Sequence, residues 1–198
     1  MRILVICLVI LSSSGVMGQG LYNKGATISI ATQTIFIVPD SLVNNGTLTN
    51  NGDLRISGAW INNGAYDAGT GVINFNSDLV QTINHNDQSF ERLVISGTGE
   101  KQFLANITIE SELDLQASNL ISVNGAKIIL NTGATVLGGS DQSHVVGPVE
   151  VKGTGNWIFP IGNGSSYLPV QINNVATANT SATLTLYELN SGETLTGE

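Results

Sequence analysis

The side chains best placed to do chemistry in this sequence are three acids at alternate positions, Glu110, Glu112 and Asp114, interleaved with Leu113 and Leu115. Alternate residues of a strand share a face, so the three carboxylates are expected to project from one outer surface. Hard oxygen ligands on a rigid strand suit Ca²⁺, and an acidic cluster beside an Arg or Lys base is one arrangement that acts on polysaccharides. The competing and preferred reading is a solvated face whose like charges discourage edge pairing. Ca²⁺ takes about six to eight oxygens, and only this trio is grouped. Arg92 and Lys101 are the basic residues nearby in sequence, and neither fits a catalytic pattern.

Other reactive types are scattered. His85 and His144 are the only 2 histidines. They lie far apart, without an HExxH arrangement, and are expected to be polar loop residues. No serine sits in a G-x-S-x-G elbow. Gly97-Thr98-Gly99 and Gly162-Asn163-Gly164 lack the Lys and following helix of a phosphate loop, so they are expected to be turns. The expectation is therefore of no catalytic residue and no cofactor.

Residues 1–18 carry an address. Met1-Arg2 is a short positive start, residues 3–11 are unbroken apolar, and a small-residue stretch leads to Gly18. This is the anatomy of a secretory signal peptide cut after Gly18. The apolar run is too short to span a membrane, and nothing later is longer. The single Cys7 lies inside it and would be lost, leaving no thiol or disulfide. Acidic residues number 15 against 7 basic, a net charge of -8, and removing Arg2 adds one more negative charge. Attraction to nucleic acid or anionic lipid is not expected. With 41% hydrophobic residues in short alternating runs, 4 Pro and no Gly-X-Y period, both disorder and a collagen are excluded.

The elements that must position these side chains follow from a repeat. Ile30, Phe36, Leu42, Leu48, Leu54, Trp60, Tyr66 and Val72 recur every sixth residue without a miss. Phased with them are Asn44-Asn45-Gly46, Asn50-Asn51-Gly52 and Asn62-Asn63-Gly64, with Ile56-Ser57-Gly58 in the intervening slot. Asn and Gly enter left-handed backbone at least cost, so each unit is expected to turn the chain sharply, with Gly46, Gly52 and Gly64 at positive φ. Two architectures fit. In a β-solenoid, six-residue faces wrap an apolar core and Asn side chains stack as ladders along the axis. In an antiparallel meander, each Asn-Gly would be a hairpin turn. Strands of about four residues favour the solenoid, because sheet strands average about five to six.

Further on, residues 71–75, 79–83 and 90–95 read as strands, and Ile107/Ile109, Leu113/Leu115 and Ile128/Leu130 as inward pairs. No window has helical periodicity with caps. The fold class is therefore all-β: a parallel β-solenoid over residues 19–152, followed over residues 153–198 by the start of a β-sandwich-like segment. There, residues 157–162 and 167–172 are two extended segments around Asn163-Gly164-Ser165-Ser166, and one more strand follows over residues 182–187. Three strands are too few for a closed sandwich, so the chain is expected to be a fragment of a longer protein or an edge completed by another chain.

The tandem Asn-Asn-Gly units, the 69–75 and 81–83 segments, Phe90-Glu91-Arg92-Leu93-Val94-Ile95 and the passage from Trp157 through Val170 resemble large secreted surface proteins of Bacteroidota. That resemblance covers roughly residues 19–172. It implies a β-solenoid stalk followed by sandwich modules, in proteins of which many end in a sorting domain read by the type IX secretion system, and it carries over no catalytic residue. The function expected is a non-enzymatic extracellular stalk, filament component or adhesin at the cell surface. Its partners would be glycans or other surface proteins, with self-association or continuation into further modules. The alternative is a carbohydrate-active β-helix enzyme or a glycan-binding module.

Overall fold

The computed structural model describes residues 20–186, which form strands and no helix. Residues 1–19, with the expected signal peptide, and residues 187–198, with Tyr187 of the expected last strand, lie outside the described part. No helix among the described residues is long and apolar enough to cross a membrane.

The repeat folds as a parallel β-solenoid of about seven turns. A first face stacks Leu21–Asn23, Leu42–Asn44, Trp60–Asn62, Gln81–Asn84, Lys101–Phe103, Leu120–Ser122 and Val145–Val146. A short second face stacks Thr27–Ile30, Thr47–Asn50 and Ala65–Asp67. A third begins with Ile35–Val38, Asp53–Ile56 and Val72–Phe75 and runs on through Ser89–Ile95 and Ile107–Leu115. The ladders between these strands are parallel, which decides against the antiparallel meander. Where the repeat is cleanest, one turn is three six-residue faces: Asn44 and Asn62 occupy the same corner 18 residues apart.

Inward positions make one continuous core. Leu42, Leu48, Leu54 and Trp60 are fully buried, as are Ile107, Ile109, Leu113 and Ile128 further along. Burial of such side chains is the main stabilising term, roughly 1.5–3 kcal/mol each. The hexad fails at its last member. The loop around Gly69 adds one residue, so Asp53 pairs with Val72 and Leu54 with Ile73. A shift of one residue exchanges the faces of a strand, and Ile73 rather than Val72 enters the core. Phe36 and Tyr66 are half-buried. The expected strand over 79–83 begins later, at Gln81, and Leu79 and Val80 stand in an exposed corner.

The corners correct a second expectation. None of Gly46, Gly52 and Gly64 has positive φ. Glycine is required there because the preceding turn lies against it: a Cβ on Gly46 would meet the Ala26 carbonyl, and one on Gly64 the Gly46 carbonyl. The turning is instead organised by side chains. The Asn44 Oδ1 accepts from the Gly46 amide within its own corner. Its Nδ2 donates to Asn62 Oδ1 of the next turn at 2.7 Å, and Asn23 Nδ2 donates to Asn44 Oδ1 at 2.8 Å. This is a buried asparagine ladder along the axis. An outer one runs beside it, where Asn63 donates to Asn45 and Asn45 to Tyr22.

The parallel order ends near Lys152. Ser181–Leu184 pairs antiparallel with Val149–Lys152, and Gly155–Phe159 forms an antiparallel pair with Val170–Val175. Trp157, Phe159 and Ile161 are buried against the end of the solenoid core. Ile161 bridges Val145 in parallel, so the chain still follows the first face at that point.

Candidate functional site

The acidic trio sits on one long strand, Ile107–Leu115. A register shift between Phe90 and Arg92 of the neighbouring strand places an extra residue between Ile109 and Glu112. Glu110 and Glu112 therefore belong to two differently paired halves, the first against Ile128–Leu130 and the second against Thr135–Gly138. Glu110 accepts from Asn131 Nδ2 at 2.6 Å, Asp114 accepts from Gln116 Nε2 at 2.7 Å, and Glu112 stands on the rung beside Arg92. Among the described residues no three or more His, Cys, Asp or Glu side chains converge to hold a metal.

Both histidines are buried, although each lies between strands. His85 follows Asn62 in the first-face corner. Its Nδ1 accepts from Trp60 Nε1 at 3.1 Å and its Nε2 donates to the Ser89 carbonyl at 3.2 Å. It stacks on Phe90 with ring centroids 3.7 Å apart. Removal from water pushes its pKa down to about 4. Because the ring turns toward Trp60, Asn62 Nδ2 at the end of the ladder has no partner. The same burial raises the pKa of the Tyr66 phenol beside it well above its usual range. His144 donates from Nδ1 to the Ser140 carbonyl and accepts at Nε2 from the Gly164 amide. These bonds fix one tautomer and tie the Gly162–Tyr167 bridge region to the solenoid.

Lys101 is fully buried, which its spacing gave no sign of. Its ammonium donates to the Ser77 carbonyl at 2.9 Å, to the Gly99 carbonyl, and to Ser118 Oγ at 3.2 Å. Desolvation pushes its pKa down to about 8, against the opposing charge of Asp78. Gln81, one turn earlier on the same column, likewise donates to the carbonyls of Ile56 and Gly58. In both cases a long side chain entering the first face satisfies inward carbonyls of the corner loops, which would otherwise be buried without partners. Arg92 donates to the Thr70 carbonyl on the exterior.

Concavity appears at the far end. The strand Thr135–Gly138 pairs with Glu112–Leu115 on one side, and Gly155–Phe159, the strand pairing with Val170–Val175, bounds a cleft with it. The cleft has a volume of about 480 Å³ and includes Asn131, Thr135, Leu137, Lys152, Trp157 and Ile158 in its lining. Leu137 and Ile158 are exposed, while Trp157 is buried and its Nε1 has no partner. Its lining mixes apolar side chains with amide, hydroxyl and ammonium groups, the composition that small-ligand sites share. No titratable pair in it is positioned for acid–base work. The sequence offered no signal for this cleft, because its walls are brought together only by the separate pairings of Thr135–Gly138 and Gly155–Phe159 with other strands. No protein-family model matches the chain, and no curated protein or solved structure matches it at a significant level.

Proposed function

We propose that the chain is a non-enzymatic extracellular module of the cell surface, acting as a stalk, filament component or adhesin. The observation that carries this reading is the use made of its polar interior. His85, His144, Gln81, Lys101 and the asparagine ladder all hydrogen-bond one turn or corner to another, and the outer faces run as ladders along one axis. A rod of stacked turns sets distance and displays repeated corners, which suits spacing or multivalent adhesion. Export rests on the signal-peptide anatomy of residues 1–18, and surface attachment by a type IX route rests on the resemblance to Bacteroidota surface proteins.

Partners in this reading are glycans or other surface proteins, with self-association or further modules extending the rod. A glycan-binding module is the second reading, favoured by the cleft beside Trp157. The test is a polysaccharide panel incubated with purified residues 19–198 and scored for both binding and reducing-end release. Binding without release, or neither, is expected. Release of reducing ends from any glycan overturns the non-enzymatic reading, and binding abolished by Lys152→Ala would move it to the glycan-binding one.

A further inference from the structure

The chain contains five Asn-Gly pairs, at Asn45, Asn51, Asn63, Asn124 and Asn163. Asn-Gly is the dipeptide in which the backbone nitrogen of the second residue most readily attacks the side-chain amide of the first, because glycine presents no side chain to obstruct it. Identical following residues give the five pairs similar intrinsic reactivity, so the fold decides which of them reacts. From their surroundings we infer that Asn124 is a site of spontaneous deamidation and isoaspartyl formation, and that the other four are protected.

In each of the other four pairs both reacting groups are engaged. The amides of Gly46 and Gly52 donate to Asn44 Oδ1 and Asn50 Oδ1, that of Gly64 to the Asn44 carbonyl, and that of Gly164 to His144 Nε2. Their asparagine side chains are bonded too: Asn45 to Tyr22 and Asn63, Asn51 to the Thr70 amide, and Asn163 to the amides of Ser165 and Ser166. Asn124 and Gly125 are both exposed, with φ of 58° and 76°, in a turn closed by the Ala126 amide on the Val123 carbonyl. Asn163 and Gly164 are exposed as well, so what sets Asn124 and Gly125 apart is that neither reacting group is engaged. Among the described residues neither the Asn124 side chain nor the Gly125 amide has a hydrogen-bond partner in the protein. A Cβ at Gly125 would meet nothing, as at Gly164, but only at Gly125 is the open turn also free of hydrogen bonds that hold the two reacting groups.

The reaction needs only water. The Gly125 nitrogen loses its proton and bonds to Asn124 Cγ, and the Cγ–Nδ2 bond breaks to release ammonia, leaving a five-membered imide. Water then opens the imide at either carbonyl, giving an aspartyl or an isoaspartyl linkage. Either product adds a negative charge at the turn between the first and third faces, and the isoaspartyl form also lengthens the backbone there.

Native protein would be incubated at mildly alkaline pH in ¹⁸O-water and mapped by peptide mass. Asn124 is expected to take up label first, with the other four slower by at least about tenfold because they react only through local opening. In urea all five should convert at comparable rates, and Gly125→Ala should slow the native reaction. The inference is overturned if any of the other four keeps pace with Asn124 in the folded protein, if Asn124 does not convert, or if its lead persists in urea.

Discussion

At the scale of single residues, His85 shows how burial turns an ordinary titrating side chain into a pH sensor of the fold. Its ring is neutral in the folded chain down to about pH 4, whereas an unfolded histidine takes up a proton near 6.5. Between those values the unfolded state binds more protons, so this group's contribution is complete above about 6.5 and is lost as pH falls toward 4. His85→Phe should therefore flatten the dependence of the urea midpoint on pH across that window. An unchanged slope would show that the ring does not titrate as its burial requires. Gly64 makes a different point. Its backbone is not left-handed, yet a Cβ would meet the Gly46 carbonyl of the turn before it. Gly64→Ala should cost about 1–3 kcal/mol through overpacking, read as a lowered urea midpoint; a wild-type midpoint would remove the close-approach argument.

At the scale of elements, the corner ladders hold strands that are too short to be stable alone. Asn44 joins three turns, accepting from Asn23 and Gly46 and donating to Asn62. Asn44→Ala would orphan several buried groups, each worth about 1–3 kcal/mol. Asn45→Ala would remove bonds that are exposed to solvent and replaced by water. Denaturation midpoints of the two variants should separate clearly, with Asn44→Ala much the less stable. Equal midpoints would mean that the buried ladder adds nothing beyond its outer copy. The long strand carrying Glu110, Glu112 and Asp114 belongs to this scale as well. Its extra residue divides the acids between two pairings, so an even sequence spacing did not become a cluster.

For the whole molecule, the core is one column, and a deletion in its middle is felt on both sides. Trp60 is fully buried and packs against Tyr66, His85 and Phe90 of its own and the next turn. Trp60→Ala should lower stability by about 3–5 kcal/mol from lost burial and the cavity left behind. Because each turn contacts chiefly its neighbours, that loss should appear as earlier amide exchange in the flanking turns than in the hairpin near Trp157. Uniform exchange across the chain would instead indicate a single all-or-none unit.

What the sequence determined by itself was the period. A β-strand alternates its faces and stacked turns place like residues side by side, so a strict six-residue recurrence of Leu and Trp with Asn-Asn-Gly between them specifies inward columns and corner ladders. Leu42, Leu48, Leu54, Trp60 and the Asn44–Asn62 ladder stand where that logic puts them. The tertiary structure alone decided what depends on turn length. One added residue near Gly69 exchanged Val72 for Ile73 in the core. Neighbours 24 and 25 residues away made Lys101 and His85 interior ligands of the backbone and of Trp60. The cleft at Trp157 exists because Gly155–Phe159 pairs with a later strand. Periodicity is local and legible along the chain, whereas partners one turn away are chosen by the lengths of the loops between.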